Sequence, residues 1–141
     1  MVVLESELRR PDVKDAEAKA TELLALASRN PKDPDYGTAI FLANLALGGA
    51  AMNRGDKPEA VRRMRAASDA PVTEYLRYNQ IDMSLARKLV DAGERDAVAT
   101  FLDRCAKFNH GGKPLKEWAA EIRKGTNPNL APNFDVFRQT Q

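Results

Sequence analysis

The chain has few of the residues that carry catalysis or cross-linking. Its 141 residues include one cysteine, Cys105, and one histidine, His110. A single cysteine forms no internal disulfide, which fits a reducing compartment. One His and one Cys fall short of an ordinary zinc site. No apolar run approaches the roughly 20 residues that cross a bilayer. Met1-Val2-Val3-Leu4 is too short for a signal-peptide core. No membrane partner is expected, and the cytoplasm is the expected location. Charge of one sign is missing too, since 22 Lys and Arg stand against 20 Asp and Glu, a net +2. That balance opposes a nucleic-acid partner, whose phosphates call for a strong positive field. Aromatics reach only 6%.

What remains is an Ala- and Leu-rich chain with 43% apolar and 30% charged residues, ordinary for a folded domain. Ala loses no side-chain entropy in a helix, so helix is favoured and no strand is expected. Apolar spacing predicts six helices. The first covers about residues 12–28, capped by Asp12, with Val13, Ala16, Ala20, Leu23, Leu24 and Ala27 as one stripe. Asn30-Pro31 ends it. The second, about 36–54, is apolar around most of its circumference and must be covered on several sides. Gly55 stops it. Asp56 caps the third with Glu59 at capping-box spacing, and Ala70-Pro71 closes it. The connection over 72–80 has room for a helical turn. The fourth helix covers about 81–92 and the fifth 94–109. The sixth covers 114–124, with Leu115, Trp118, Ala119 and Ile122 on one side. Residues 1–11 form an N-terminal segment, 12–125 the helical domain and 126–141 an irregular tail.

Two stretches repeat in physical role. Leu47, Gly48, Ala51, Gly55, Asp56, Ala60, Met64 and Ala67 stand 38 residues before Leu85, Ala86, Leu89, Gly93, Glu94, Val98, Leu102 and Cys105. Large apolar residues match large ones, small match small, and the Gly-acid corner recurs. Ala20, Leu24, Ala27 and Pro31 also share the spacing of Ala60, Met64, Ala67 and Pro71. The first helix therefore reads as the back half of an earlier unit.

Leu47-Gly48, Ala51, Ala60, Met64, Ala67 and Pro71 resemble the signature of the tetratricopeptide (TPR) repeat family. The second unit is degenerate, and its stride of 38 exceeds the usual 34. From residue 30 to 134 the chain also resembles a group of small bacterial TPR-like proteins. Asn30-Pro31, Tyr36-Gly37, Asn44, Met83-Ser84-Leu85-Ala86, Gly93-Glu94-Arg95 and residues 118–123 carry that likeness. The resemblance implies an all-α, antiparallel helix-turn-helix array, a right-handed superhelix of about six helices. It brings no activity with it.

In TPR arrays the first helix of each pair lines a concave groove. That register implies that Leu42, Leu45, Gly49, Met52 and Asn53 face it from one unit. Gln80, Met83, Arg87 and Asp91 do so from the next. Leu45 and Gly49 stand where family members that clamp a C-terminal carboxylate carry Lys and Asn, so such a clamp is not expected. The alternative is that these residues pack beneath the sixth helix or the tail. Asn44, a polar amide in an apolar helix, needs partners and is expected to fix a neighbouring turn. Arg62, Arg63 and Arg65 are expected on a solvated face. Cys105 matches Ala67 in the repeat and reads as a packed thiol, out of line with His110. Gly48-Gly49 lies within a helix, so no phosphate-binding loop is expected.

No catalytic, cofactor or metal-binding residue is therefore expected. The function the sequence favours is a non-catalytic protein–protein interaction or scaffold module. Its partner is a polypeptide or a second copy of itself, with a homodimer through the uncovered first helix as the simplest form. The alternatives are an enzyme or small-ligand binder with an unrecognised helical pocket, and a weak nucleic-acid binder.

Overall fold

The computed structural model describes residues 13–131. Its elements are α1 (Val13–Arg29), α2 (Tyr36–Asn53), α3 (Lys57–Ser68), α4 (Glu74–Tyr78), α5 (Ser84–Asp91), α6 (Arg95–Phe108) and α7 (Gly112–Arg123). No strand occurs among the described residues. The architecture is an antiparallel helix-turn-helix array. α2, apolar all round, packs on α1, α3 and α5 and so is covered on the several sides its composition requires. The Asp12 cap and the side chain of Val13 lie outside what is described.

The 38-residue repeat is a repeat of structure. Gly55 and Gly93 have φ of 79° and 90°, a conformation that disfavours a Cβ. Around each, the same two hydrogen bonds close the helix end. Gly55 N–H donates to the Met52 carbonyl at 3.0 Å and Asp56 N–H to Ala51 at 2.8 Å. Gly93 N–H donates to Val90 at 3.0 Å and Glu94 N–H to Leu89 at 2.9 Å. Ala60, Met64 and Ala67 are buried, and so are their counterparts Val98, Leu102 and Cys105. A third copy of the turn ends α7, where Gly125 N–H meets Ile122 and Thr126 N–H meets Glu121.

A second device recurs that local sequence does not reveal. Lys57 opens α3, and its ammonium donates to the carbonyl of Ala92 at the end of α5. Arg95, 38 residues on, opens α6. Its guanidinium donates to the Ile122 carbonyl near the end of α7 at 3.0 and 2.9 Å, and also to Thr126. Glu17 holds the matching place on α1 and pairs with Arg54, the residue that closes α2, at 2.8 Å. Each second-type helix thus grips the far end of the next first-type helix. Cations suit the negative carbonyl ends, and Glu17 works through Arg54 instead. By this pattern α1 is a second-type helix, α2–α3 and α5–α6 are the two complete units, and α7 is a first-type helix that closes the array.

Several local expectations need correction, though the helical turn for which the 72–80 connection has room is present as a short helix, α4. The Thr73 hydroxyl caps it by accepting from Leu76 N–H at 3.2 Å, and Leu76 is buried. α4 is held from outside as well. The buried Asn109 amide donates to the carbonyls of Leu76 and Asn79 at 2.6 and 2.8 Å. α5 starts at Ser84, not 81, because the Asp82 carboxylate accepts the Ser84 N–H at 2.9 Å and holds the lead-in out of the helix. α7 starts at Gly112, ahead of Pro114. Only half of the capping box forms at Asp56. Its carboxylate accepts from Glu59 N–H at 3.2 Å, but its own N–H is already spent on Ala51, so Glu59 turns to Arg62 and Arg63. Glu94 makes no side-chain cap, being a methylene longer than Asp. Asn44 fixes no turn; its amide donates to Ile40 in its own helix, and its oxygen accepts from Arg63. Arg63 is therefore half-buried against α2, while Arg62 and Arg65 stay in solvent.

Two cores result. The main one runs from α2 through α3, α5 and α6 to α7, with Phe41 stacked on Phe101 and edge-on to Phe108 at centroid distances of 6.2 and 6.3 Å. A smaller one, Ala20, Ala43 and Leu47 with Leu24, joins α1 to α2. α7 buries Leu115, Ala119 and Ile122, with Trp118 half-buried, and turns Lys116, Glu117 and Arg123 to solvent. That is the arrangement of a terminal cap on a repeat stack.

Candidate functional site

The face shared by α2 and α5 holds most of the residues expected to line a groove, but they fall into two adjoining depressions. Leu42, Leu45 and Gly49 from α2 meet Ser84, Leu85 and Lys88 from α5 around a slot of about 240 Å³. Gln80, Met83 and Arg87 line a second hollow of about 300 Å³ together with Ile81 and Ala131. Asp82 borders both. Met52 and Asn53 line neither; Met52 packs against the main core, and Asn53 is exposed. Asp91 borders a third hollow, alongside Arg87, Val90 and residues 127–130 of the tail.

The two readings of these residues divide by position. Leu45 and Met83 are buried and serve chiefly as core. Arg87 is committed to the tail, its guanidinium donating to the Leu130 carbonyl at 2.6 Å, with Leu130 buried beside it. The tail therefore covers the α5 end of the face. Leu42 is the large apolar side chain left in solvent there, 40% exposed. Beside it Gly49 faces open space, with no atom within 4 Å of where a Cβ would stand. Its neighbour Gly48 is the opposite case, since a Cβ there would lie 2.5 Å from Leu85 Cδ2.

The slot has an apolar floor and opposite charges, Asp82 and Lys88, at its mouth. An apolar side chain flanked by polar backbone matches that lining. Ala46, Asp82, Ser84, Leu85 and Lys88 were not among the expected groove residues. Ala46 comes from α2 itself; the other four come from α5 and its lead-in, and the Asp82-Met83-Ser84 spacing, an aspartate two residues before a helix start, is the signal that could have shown where α5 begins.

Cys105, His110 and Glu59 lie away from the slot. Burial pushes the Cys105 thiol far above its ordinary value, and His110 sits beyond the end of α6 beside Tyr78. The hydrogen bond from Arg62 holds the half-buried Glu59 carboxyl below its usual value. Among the described residues no three of His, Cys, Asp and Glu are grouped to hold a metal ion. No described helix is long and apolar enough to cross a membrane. On α1, Leu23 and Leu26 are exposed at 39% and 56% and border a hollow of about 320 Å³ with Asp33, Asp35 and Tyr36.

Comparison with family models, with curated proteins and with solved structures returns no match.

Proposed function

We propose that the chain is a non-catalytic interaction module of the TPR type, acting in the cytoplasm, which binds a polypeptide by seating an apolar side chain in the slot between α2 and α5. The observation that supports this reading is the pairing of exposed Leu42 with the empty space over Gly49. Here α2 carries a residue with no side chain, and no atom of another element takes its place. The TPR assignment rests on the 38-residue unit and its doubled Gly-acid corner.

Selection from a random peptide display library tests the reading. Enriched peptides should share an apolar anchor, and Gly49→Phe, which fills the slot, should weaken them at least about tenfold. Peptides that bind Gly49→Phe and Leu42→Glu as tightly as the parent would remove the slot from consideration.

The exposure of Leu23 and Leu26 favours a second surface, on α1, through which two copies associate. Sedimentation over a wide concentration range should show a dimer that Leu26→Asp abolishes; a monomer throughout counts against it.

A further inference from the structure

Sharing no residue with the slot, a shallow depression of about 610 Å³ opens between the C-terminal ends of α3 and α6 and the α4 insertion. Its size lies within the range of roughly 300–1,000 Å³ common to ligand sites. Three cations line it, Arg77, Arg104 and Lys107, against one carboxylate, Asp69. Arg104 already answers that carboxylate at 2.6 Å and also reaches the Ser68 hydroxyl at 3.3 Å. The side chains of Arg77 and Lys107 make no hydrogen bond or ion pair among the described residues. The charge of the depression is thus left unbalanced by two cations. Its apolar lining is Val72, 45% exposed, and the half-buried Phe108.

The backbone that carries these cations is held in place. Arg77 belongs to α4, which is fastened at one end by the Thr73 cap and its 2.6 Å contact with the Thr38 hydroxyl. At the other end Asn109 holds it, together with the His110 N–H, which donates to the Arg77 carbonyl at 2.7 Å. Lys107 and Arg104 stand one turn apart on α6. Basic side chains on a rigid frame around an apolar patch describe a receptor for a segment in which carboxylates flank an apolar side chain. A nucleic acid fits less well. Its affinity grows with the number of phosphates neutralised, two free cations are few, and Val72 and Phe108 have nothing to meet on a phosphate backbone.

We propose that this depression docks an acidic segment of a partner polypeptide, with carboxylates on Arg77 and Lys107 and an apolar side chain on Val72 and Phe108. A fluorescein-labelled Glu-Asp-Phe-Asp-Glu peptide, followed by fluorescence polarisation against the full chain, tests it. Binding should be saturable and should weaken as salt screens the exposed charges. The double variant Arg77→Gln, Lys107→Gln should bind about tenfold more weakly, as expected for losing two exposed ion pairs. Both side chains are exposed, so its thermal melt should match the parent's. Gly49→Phe should leave the affinity unchanged, which separates this surface from the slot. No binding, or binding indifferent to the double variant, overturns the proposal. So does a peptide with Gly in place of Phe that binds as tightly, or an oligothymidylate of equal charge that binds more tightly than the peptide.

Discussion

Gly48 and Gly49 are neighbours in one helix, and the structure assigns them opposite responses to alanine. Both have helical backbone, so each substitution gains roughly 0.8–1 kcal/mol of helix propensity. At Gly49 nothing opposes that gain, because no atom lies within 4 Å of the new Cβ. Gly49→Ala should therefore stabilise the protein by close to the full amount. At Gly48 the new Cβ would stand 2.5 Å from Leu85 Cδ2 and 3.4 Å from both the Ala60 carbonyl oxygen and Arg63 Cβ. Leu85 must swing away, and the other two leave it little room. Overpacking of this kind costs about 1–3 kcal/mol, so the net change should lie between neutral and about 2 kcal/mol of destabilisation. The two variants should then differ by about 1–3 kcal/mol. Urea denaturation followed by circular dichroism measures this through the shift in midpoint at constant slope. Gly37→Ala calibrates the severe end, since its Cβ would lie 1.8 Å from the Pro71 carbonyl oxygen, a backbone atom with little freedom to yield. If Gly48→Ala stabilises as much as Gly49→Ala, then α2, α3 and α5 do not cross where the structure puts them, and the slot beside Gly49 goes with that crossing.

The remaining predictions concern the array's ends and its buried thiol. Arg95→Met should remove the grip on the end of α7 and cost about 1–3 kcal/mol, since charged hydrogen bonds to carbonyls are lost; hydrogen exchange should quicken first around residues 120–126, and protection unchanged there would show the contact to be idle. Deleting residues from Lys113 onward bares the surface that Leu115, Ala119 and Ile122 cover and should cause aggregation or lost cooperativity, so a truncated chain that unfolds as sharply as the whole would contradict the cap assignment. Cys105 should resist a thiol reagent such as Ellman's at pH 8 until the protein unfolds, because burial raises its pKa and disfavours the reactive thiolate; prompt modification in native buffer would mean that α6 is not packed as described.

Features with local causes were legible in the sequence. Gly55, Gly93 and Gly125 end their helices because a left-handed residue after a helix is chosen by its own lack of a Cβ, and a neighbouring partner is not required. The match of Ala60 with Val98 and of Met64 with Leu102 was legible for a similar reason, since helix crossings at fixed spacing impose a size pattern that survives changes of residue. Tertiary contacts were harder to see. Arg95 reads as an ordinary exposed cation until α7 comes to rest beside it. Arg87 was placed on the groove face by its position along α5, and it is there, but the tail arrives on the same side and takes its guanidinium. Asn44 looked like a turn-maker because polar amides often serve turns. In this helix Ile40 and Arg63 meet its needs from within the bundle. At the candidate site, Leu42, Leu45 and Gly49 were anticipated together, whereas Asp82 and Lys88 were not; apolar spacing alone does not show that α5 starts at Ser84 and leaves Asp82 in its lead-in.

The slot itself is open to direct observation. Methyl-labelled protein, titrated with a peptide selected for binding, reports by NMR which leucines the ligand touches. The account predicts intermolecular contacts at Leu42, Leu45 and Leu85, with the methyls of Leu102 and Leu115 in the core unmoved. Contacts at Leu23 and Leu26 alone, with Leu42 and Leu85 undisturbed, would contradict it and place recognition on α1.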